Sequence, residues 1–211
     1  MSDGAPGDAG LAARIAEAAA LLRRGGVIAY PTETFYGLGA LAADGASVER
    51  LLVAKARPDG KPLPLLGADL AQLEAVASFS PLARRLAAAL WPGPLTLVLP
   101  ARPGLHPAIT GGGTTVGVRI SSGQVAAALA RAAGGALVAT SANRSGEPPP
   151  RRADLLDPAL RARLDLVLDG GETPGGAPST VVALVGETLT LVRAGAVTLE
   201  ALRAAAGVEV K

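Results

Sequence analysis

The chain has 211 residues, 49% of them hydrophobic, enough for one domain with a sizeable core. Its formal net charge is only +2, and it carries no Cys, one His and 2% aromatic residues. Those counts exclude disulfides, thiolate nucleophiles, Cys-based zinc sites and multi-His metal centres, and leave little material for stacking nucleic-acid bases.

Only Lys55, Lys61 and Lys211 are lysines, so Arg dominates the basic residues and a local basic patch remains open despite the near-neutral total. The first ten residues, MSDGAPGDAG, lack the basic start and apolar core of a signal peptide, and no later run reaches membrane-spanning length. The expectation is a soluble cytoplasmic protein with a flexible 1–10, one domain over 11–205 and a tail over 206–211.

In chain order, residues 11–24 place Leu11, Ile15, Ala18 and Leu22 at helical spacing before a basic turn and the Gly25-Gly26 stop. Val27 to Tyr30 reads as a short buried strand closed by Pro31, and Thr32 to Gly39 as a polar, Gly-containing loop. A second helix over 47–56 ends where Pro58 disfavours a helical Arg57. Leu63 to Gly67 reads as a strand. Asp69 with Gln72 resembles a capping box for a helix over 70–77, and Ser80-Pro81 starts another that runs to Leu90.

After the Trp91-Pro92-Gly93-Pro94 break, strands are expected over 95–99 and 114–120, a helix over 125–133 and a buried strand over 136–140. The remainder reads as a helix over 154–163, a strand over 165–169, a Gly/Pro-rich loop over 170–178, a hairpin of 179–185 with 189–193, and a last helix over 198–206. Strands and helices mix without strict alternation. The expected fold class is therefore α/β, a single-domain twisted mixed sheet with flanking helices.

The segment Lys55-Ala56-Arg57-Pro58-Asp59-Gly60-Lys61-Pro62 puts three cations within seven residues at a helix-to-strand junction. Cations at a helix end commonly offset its dipole. Two further polar clusters, Pro31-Thr32-Glu33-Thr34 and Thr140-Ser141-Ala142-Asn143, also follow short apolar runs, and the three together point to one shared anion site at strand ends. Ser179 and Thr180 follow the Gly/Pro loop in the same way.

Arg119 and Arg193 lie in otherwise apolar strands, and a buried Arg needs an anionic partner. Glu33 is a candidate magnesium or amine contact, Phe35 and Tyr36 are packing residues that could line the site, and His106, before Pro107, reads as a surface residue. The Gly-rich Thr110–Thr115 loop could offer N–H groups to phosphate. No Walker A, GxGxxG or HExxH pattern occurs.

Taken in order, PTETFYGLG (31–39), KARPDGKPLPLL (55–66), WPGPLTLVL (91–99), GVRI (117–120), TSANRSGEPPP (140–150), STVV (179–182) and VRAGAV (192–197) closely resemble the YrdC/Sua5 family over about residues 11–205. The resemblance implies a YrdC-like fold with a concave basic face. It also implies a nucleotidyltransferase, L-threonylcarbamoyladenylate synthase, which makes threonylcarbamoyl-AMP and pyrophosphate from L-threonine, bicarbonate and ATP for the t6A modification of tRNA position 37. Mg2+ is expected with the ATP, and a t6A transferase complex downstream.

By motif, the resemblance implies that Lys55, Arg57 and Lys61 are catalytic cations, with Arg57 and Lys61 on the ATP phosphates. Thr34, Arg119, Ser141 and Ser179 are implied threonine contacts, Arg119 taking the carboxylate; Thr115, Asn143 and Arg193 are implied ATP contacts. Three departures stand out. Leu66 replaces a His of some members, Pro148-Pro149-Pro150-Arg151 replaces a Ser/Thr-Pro-Thr stretch, and the chain stops soon after VRAG, as in the short form. The competing readings are a noncatalytic module for double-stranded RNA or tRNA, and a carbamoyl-transfer module acting on another acceptor.

Overall fold

The computed structural model describes residues 8–56, 60–186 and 188–211. The elements are α1 (Asp8–Arg23), β1 (Ile28–Pro31), β2 (Tyr36–Gly39), α2 (Gly45–Lys55), β3 (Leu65–Gly67), α3 (Leu70–Glu74), α4 (Pro81–Leu90), β4 (Leu95–Pro100), α5 (Pro107–Thr110) and β5 (Thr115–Ile120). They continue with α6 (Gln124–Ala133), β6 (Leu137–Val138), β7 (Thr140–Ser141), a 3-10 turn (Ala153–Leu155), α7 (Pro158–Arg161), β8 (Leu166–Val167), β9 (Thr180–Val185), β10 (Thr188–Arg193) and α8 (Leu199–Ala206).

The mixed α/β architecture is the expected one, with the strands divided between two hydrogen-bonded sheets. Among the described residues these are four-stranded, in the order β7-β2-β1-β8, and six-stranded, in the order β10-β9-β4-β5-β3-β6. Residues 137–141 join them: β6 pairs antiparallel with β3, and β7, after Ala139, pairs antiparallel with β2. The amide of Ala139 donates to Pro64 O at 2.8 Å, which fixes the crossing point.

Each face of the larger sheet carries its own core. Leu65, Val118, Val138, Leu97 and Val182 meet α2, α4 and α8 on one side, through Leu51, Leu86 and Leu202 among others. Leu66 and Leu137 share the other side with Ile28, Tyr30, α1 and α6. There the helices present Ala18, Ala19, Ala126 and Ala130, small side chains that let helix and sheet approach closely. Tyr30 and Tyr36 are the fully buried aromatics among the largest core side chains, so the scarcity of aromatics elsewhere leaves the bulk of the core to Ala, Leu and Val.

Beyond the split into two sheets, local expectations change as well. The Thr32–Gly39 loop is a four-residue turn followed by a strand: β2 pairs with β1 from Ile28↔Gly39 to Pro31↔Tyr36, and Thr32 Oγ1 donates to Phe35 O at 2.7 Å to close the turn. The sequence YGLG carries little strand propensity, but a Cβ at Gly39 would lie 2.7 Å from Tyr30 Cε1, so packing of the Tyr30 ring selects glycine in this strand. The single helix expected over 154–163 is two short pieces. Asp157 Oδ1 accepts from Leu160 N at 2.8 Å with Pro158 at the first helical position, an Asp-Pro start that the expectation ran through.

Asp69 caps α3 as expected, its Oδ1 accepting from Gln72 N at 2.9 Å, while Gln72 Oε1 accepts at 2.9 Å from Ala68 N, one residue before the cap; the helix expected over 70–77 ends at Glu74. His106 is half-buried, caps α5 and lies 3.3 Å from Glu49. Past α8 the chain turns at Gly207 and lays Val210 beside Leu189 of β10.

Asp165 ties three elements near the start of β1. It accepts from Val27 N at 2.7 Å and from Arg50 of α2 at 2.9 and 3.0 Å. Burial works to raise its pKa, but the bonds from Arg50 and Val27 outweigh it and hold the carboxyl below its usual value. A depressed folded-state pKa contributes stability above the unfolded value, near ~3.9, that is lost as pH falls through the folded one. Asp165→Asn is therefore expected to lower the urea midpoint at pH 7, with the gap to the parent closing toward pH 3; a gap independent of pH would contradict this.

Candidate functional site

Where the β1–β2 hairpin of the small sheet faces β4 and β5 of the large one, a cleft of about 450 Å³ opens. Thr32, Thr34, Phe35 and Gly37 line it from the hairpin, Thr96 and Arg119 from the facing strands, and Thr140, Ser141, Ser179 and Arg193 add to the lining. Pro64, Pro149 and Pro178 stiffen the lining, which holds no Asp or Glu among the described residues.

Arg119 rises from β5 on the face it shares with Leu66 and Leu137, and its guanidinium pairs with the Glu33 carboxylate from the hairpin turn. The two side chains are 10% and 11% exposed, so the expectation of an anionic partner for a buried strand Arg is met by Glu33. The second Glu33 oxygen accepts from Ser121 Oγ. With both oxygens engaged, Glu33 acts as an ion-pair residue that orients Arg119.

Arg193 reaches across from β10. Its Nη2 donates to Ser179 O at 2.7 Å and to Ser179 Oγ at 3.1 Å, while Ser179 Oγ lies 3.0 Å from Thr96 Oγ1. Burial and the nearby Arg119 charge push its pKa below the ordinary arginine value. Among the described residues, two guanidinium groups thus act on one cleft, with the carboxylate of Glu33 set against Arg119. That excess of positive charge, with hydroxyls around it, favours a small anionic ligand.

Of the expected site residues, the structure brings Thr34, Arg119, Ser141, Ser179 and Arg193 together in the cleft lining. Phe35 and Tyr36 line it as well. The Tyr36 hydroxyl donates toward Gly171 O (2.8 Å) and accepts from Gly170 N (3.2 Å), and burial pushes its pKa up to about 12.

Lys55, Lys61, Thr115 and Asn143 do not line this cleft, and Arg57 lies outside the described residues. Thr115 is exposed at the start of β5, on the same face as Arg119 and roughly 13 Å along the strand. Exposed Lys61 lies nearby in the fold: a Cβ at Gly111, in the Gly-rich loop before Thr115, would fall 2.7 Å from Gly60 O and 3.1 Å from Pro62. Asn143 Nδ2 bonds to Arg144 O at 2.9 Å and so shapes its own loop.

Lys55 is 2% exposed, and its ammonium donates to Asn143 O at 2.9 Å and to Ser141 O. It thereby holds the turn that carries Ser141 into the cleft. Pro149 occupies the cleft edge, and Arg151 bonds instead to Thr173 O at 3.1 Å and pairs with Glu172. Leu66 is fully buried in the core beneath Arg119.

Thr32 and Thr140, members of the two polar clusters, line the cleft as expected, whereas sequence reasoning missed Tyr30 and Thr96 as cleft residues. Thr96 had a usable signal, a lone hydroxyl inside the apolar run LTLVL. Tyr30 had none, because a tyrosine in a short apolar strand reads as core. Replacing Lys55 by Met is expected to lower unfolding free energy by about 1–3 kcal/mol, the usual cost of stripping part-buried carbonyls of a charged donor. Unchanged urea stability would contradict the anchoring role.

The model of the Sua5/YciO/YrdC family, described as telomere recombination, matches residues 20–195. A threonylcarbamoyl-AMP synthase of Bacillus subtilis (strain 168) is 42% identical over 196 residues, 92% of this chain and 57% of that protein. One of Stenotrophomonas maltophilia (strain K279a) is 48% identical over 177 residues, covering 82% of this chain and 95% of that protein. The crystal structure of Pyrococcus abyssi Sua5 complexed with L-threonine superposes with a TM-score of 0.89 at 39% identity, covering 95% of this chain and 59% of that one. The chain thus spans under two thirds of some relatives and nearly all of others. On the family match, these identities and the shared fold together, it belongs to the Sua5/YciO/YrdC family.

Proposed function

We propose that this chain is an L-threonylcarbamoyladenylate synthase, joining L-threonine, bicarbonate and ATP into threonylcarbamoyl-AMP with release of pyrophosphate. The observation that carries the reading is Arg119: a guanidinium 10% exposed, oriented by Glu33 and set in a cleft lined by Thr34, Ser141 and Ser179. A carboxylate is the natural partner for the donors that Glu33 leaves on such a fork, and hydroxyls at that distance suit the amino and hydroxyl groups of threonine. The named relatives and the threonine-bound Pyrococcus abyssi structure support the same ligand.

Threonine's amine and bicarbonate form, with loss of water, a carbamate, an anionic nucleophile whose oxygen attacks the α-phosphorus of ATP and expels pyrophosphate. Such a nucleophile needs little help from a general base. The protein's work is to bring two anions into line against their repulsion, which calls for oriented cations and hydrogen-bond donors. Arg119 would hold the threonine end and Arg193 the side facing the nucleotide. The strip of β5 leading from Arg119 past Gly117 to Thr115, with Lys61 nearby, gives the nucleotide a path out of the cleft. Gly117 keeps that strip low, since a Cβ there would meet Thr96 at 3.2 Å.

Magnesium would arrive on the triphosphate, held by phosphate oxygens and water. Glu33 fits that division of labour, because both of its oxygens are engaged by Arg119 and Ser121. The adenylate would pass to a transferase complex that modifies tRNA. The RNA-binding alternative fits less well. A duplex phosphate cannot follow a carboxylate into a cleft where Arg119 is this enclosed.

Purified protein with ATP and magnesium is expected to release pyrophosphate only when threonine and bicarbonate are both supplied. Salt-sensitive RNA binding without turnover would overturn the reading. Arg119→Ala is expected to raise the threonine KM by about tenfold or more, as loss of a charge-assisted hydrogen bond implies, with a smaller effect on ATP. A change confined to ATP would reverse the assignment.

A further inference from the structure

Tyr30 is fully buried, yet it forms part of the cleft wall. Its hydroxyl has no hydrogen-bond partner among the described residues. Buried tyrosine hydroxyls ordinarily find one, and leaving a donor unmatched costs stability. The contrast with Tyr36, one strand away, is direct: that hydroxyl is matched by Gly171, Gly170 and Asp169.

The ring lies across β2: a Cβ at Gly39 would fall 2.7 Å from Cε1 and 3.7 Å from Cζ, and one at Gly37 would fall 3.7 Å from Cζ. The hydroxyl-bearing end thus reaches Gly37, a residue of the cleft lining. Burial pushes the phenol's pKa up, the Arg119 charge pulls it down and Glu33 pushes it up again, so the group remains a proton donor at neutral pH. Tyr30 and Arg119 line the same cleft.

Resting on the threonine reading above, we propose that the Tyr30 hydroxyl is a substrate-binding donor, making its hydrogen bond to the amino-acid carboxylate that Arg119 holds. Glu33 already occupies one side of the guanidinium, so a substrate carboxylate brings a second negative charge to the same cation. A donor held ready beside the pair offsets that repulsion, and its bond forms as the entering carboxylate shares Arg119 with Glu33. The unmatched hydroxyl is then a stability cost of the ligand-free protein that substrate removes.

The test is Tyr30→Phe, which keeps the ring and deletes only the oxygen. In the absence of ligands the variant is expected to be at least as stable to urea as the parent, because it loses an unmatched buried donor. Its threonine KM and calorimetric Kd are expected to rise about tenfold or more, with the loss falling on threonine affinity rather than on kcat. Threoninamide, which lacks the carboxylate, supplies the specific readout: the parent's preference for threonine over threoninamide should shrink in the variant.

A variant that matches the parent in threonine affinity overturns the proposal, and so does one that keeps the parent's threonine-to-threoninamide preference. A variant clearly less stable than the parent without ligand also overturns it, since the hydroxyl would then have a partner in the resting protein. If the parent binds threonine and releases pyrophosphate while Tyr30→Phe is unaltered, only this inference falls. If the parent neither binds nor turns over threonine, the synthase reading falls and takes the inference with it.

Discussion

The pairing of Arg119 with Glu33 is the contact on which the site depends, because its two members come from different sheets. Glu33 sits in the turn between β1 and β2, and Arg119 on β5 of the six-stranded sheet. Withdrawing both charges from water is costly, and a nearly buried pair is justified only where its geometry and added hydrogen bonds compensate. Here Ser121 takes the remaining Glu33 oxygen. The pair therefore fixes the distance between the two walls of the cleft and holds a guanidinium ready for a second anion.

The cations in and behind the cleft do two kinds of work. Arg119 and Arg193 face the cleft, each oriented by a bond to a neighbour, which is the preorganisation that electrostatic stabilisation requires. Lys55 is turned inward and holds the carbonyls of residues 141 and 143, so the sheet-switching segment ends in a defined turn instead of a loose loop. Sequence clustering alone cannot separate these tasks. Lys55 and Lys61 are six residues apart, yet one is buried beneath the turn and the other is exposed.

Much of the fold was legible because hydrophobic runs, prolines and caps are local signals. Ser80-Pro81, Asp69 with Gln72, and the Gly25-Gly26 stop all mark element ends where the structure has them. β2 was not legible, since its glycines answer to the Tyr30 ring across the hairpin, a tertiary constraint with no local trace. The division of the strands between two sheets hides for the same reason: residues 136–140 read as one strand, and only the partners of β6 and β7 reveal the switch. In the site, Arg119 announced itself as a charge in an apolar strand, while the cleft face of Tyr30 is visible only once its surroundings are known.

The account stands on the claim that a carbamate of the amino acid is joined to the adenylate within this cleft. Mass analysis of the nucleotide formed from ATP, threonine and carbon-13 bicarbonate tests that most directly. The account predicts an adenylate whose mass equals threonylcarbamoyl-AMP and which carries a single labelled carbon. ATP consumed to give AMP or ADP alone, or a threonine adduct without the label, would contradict it.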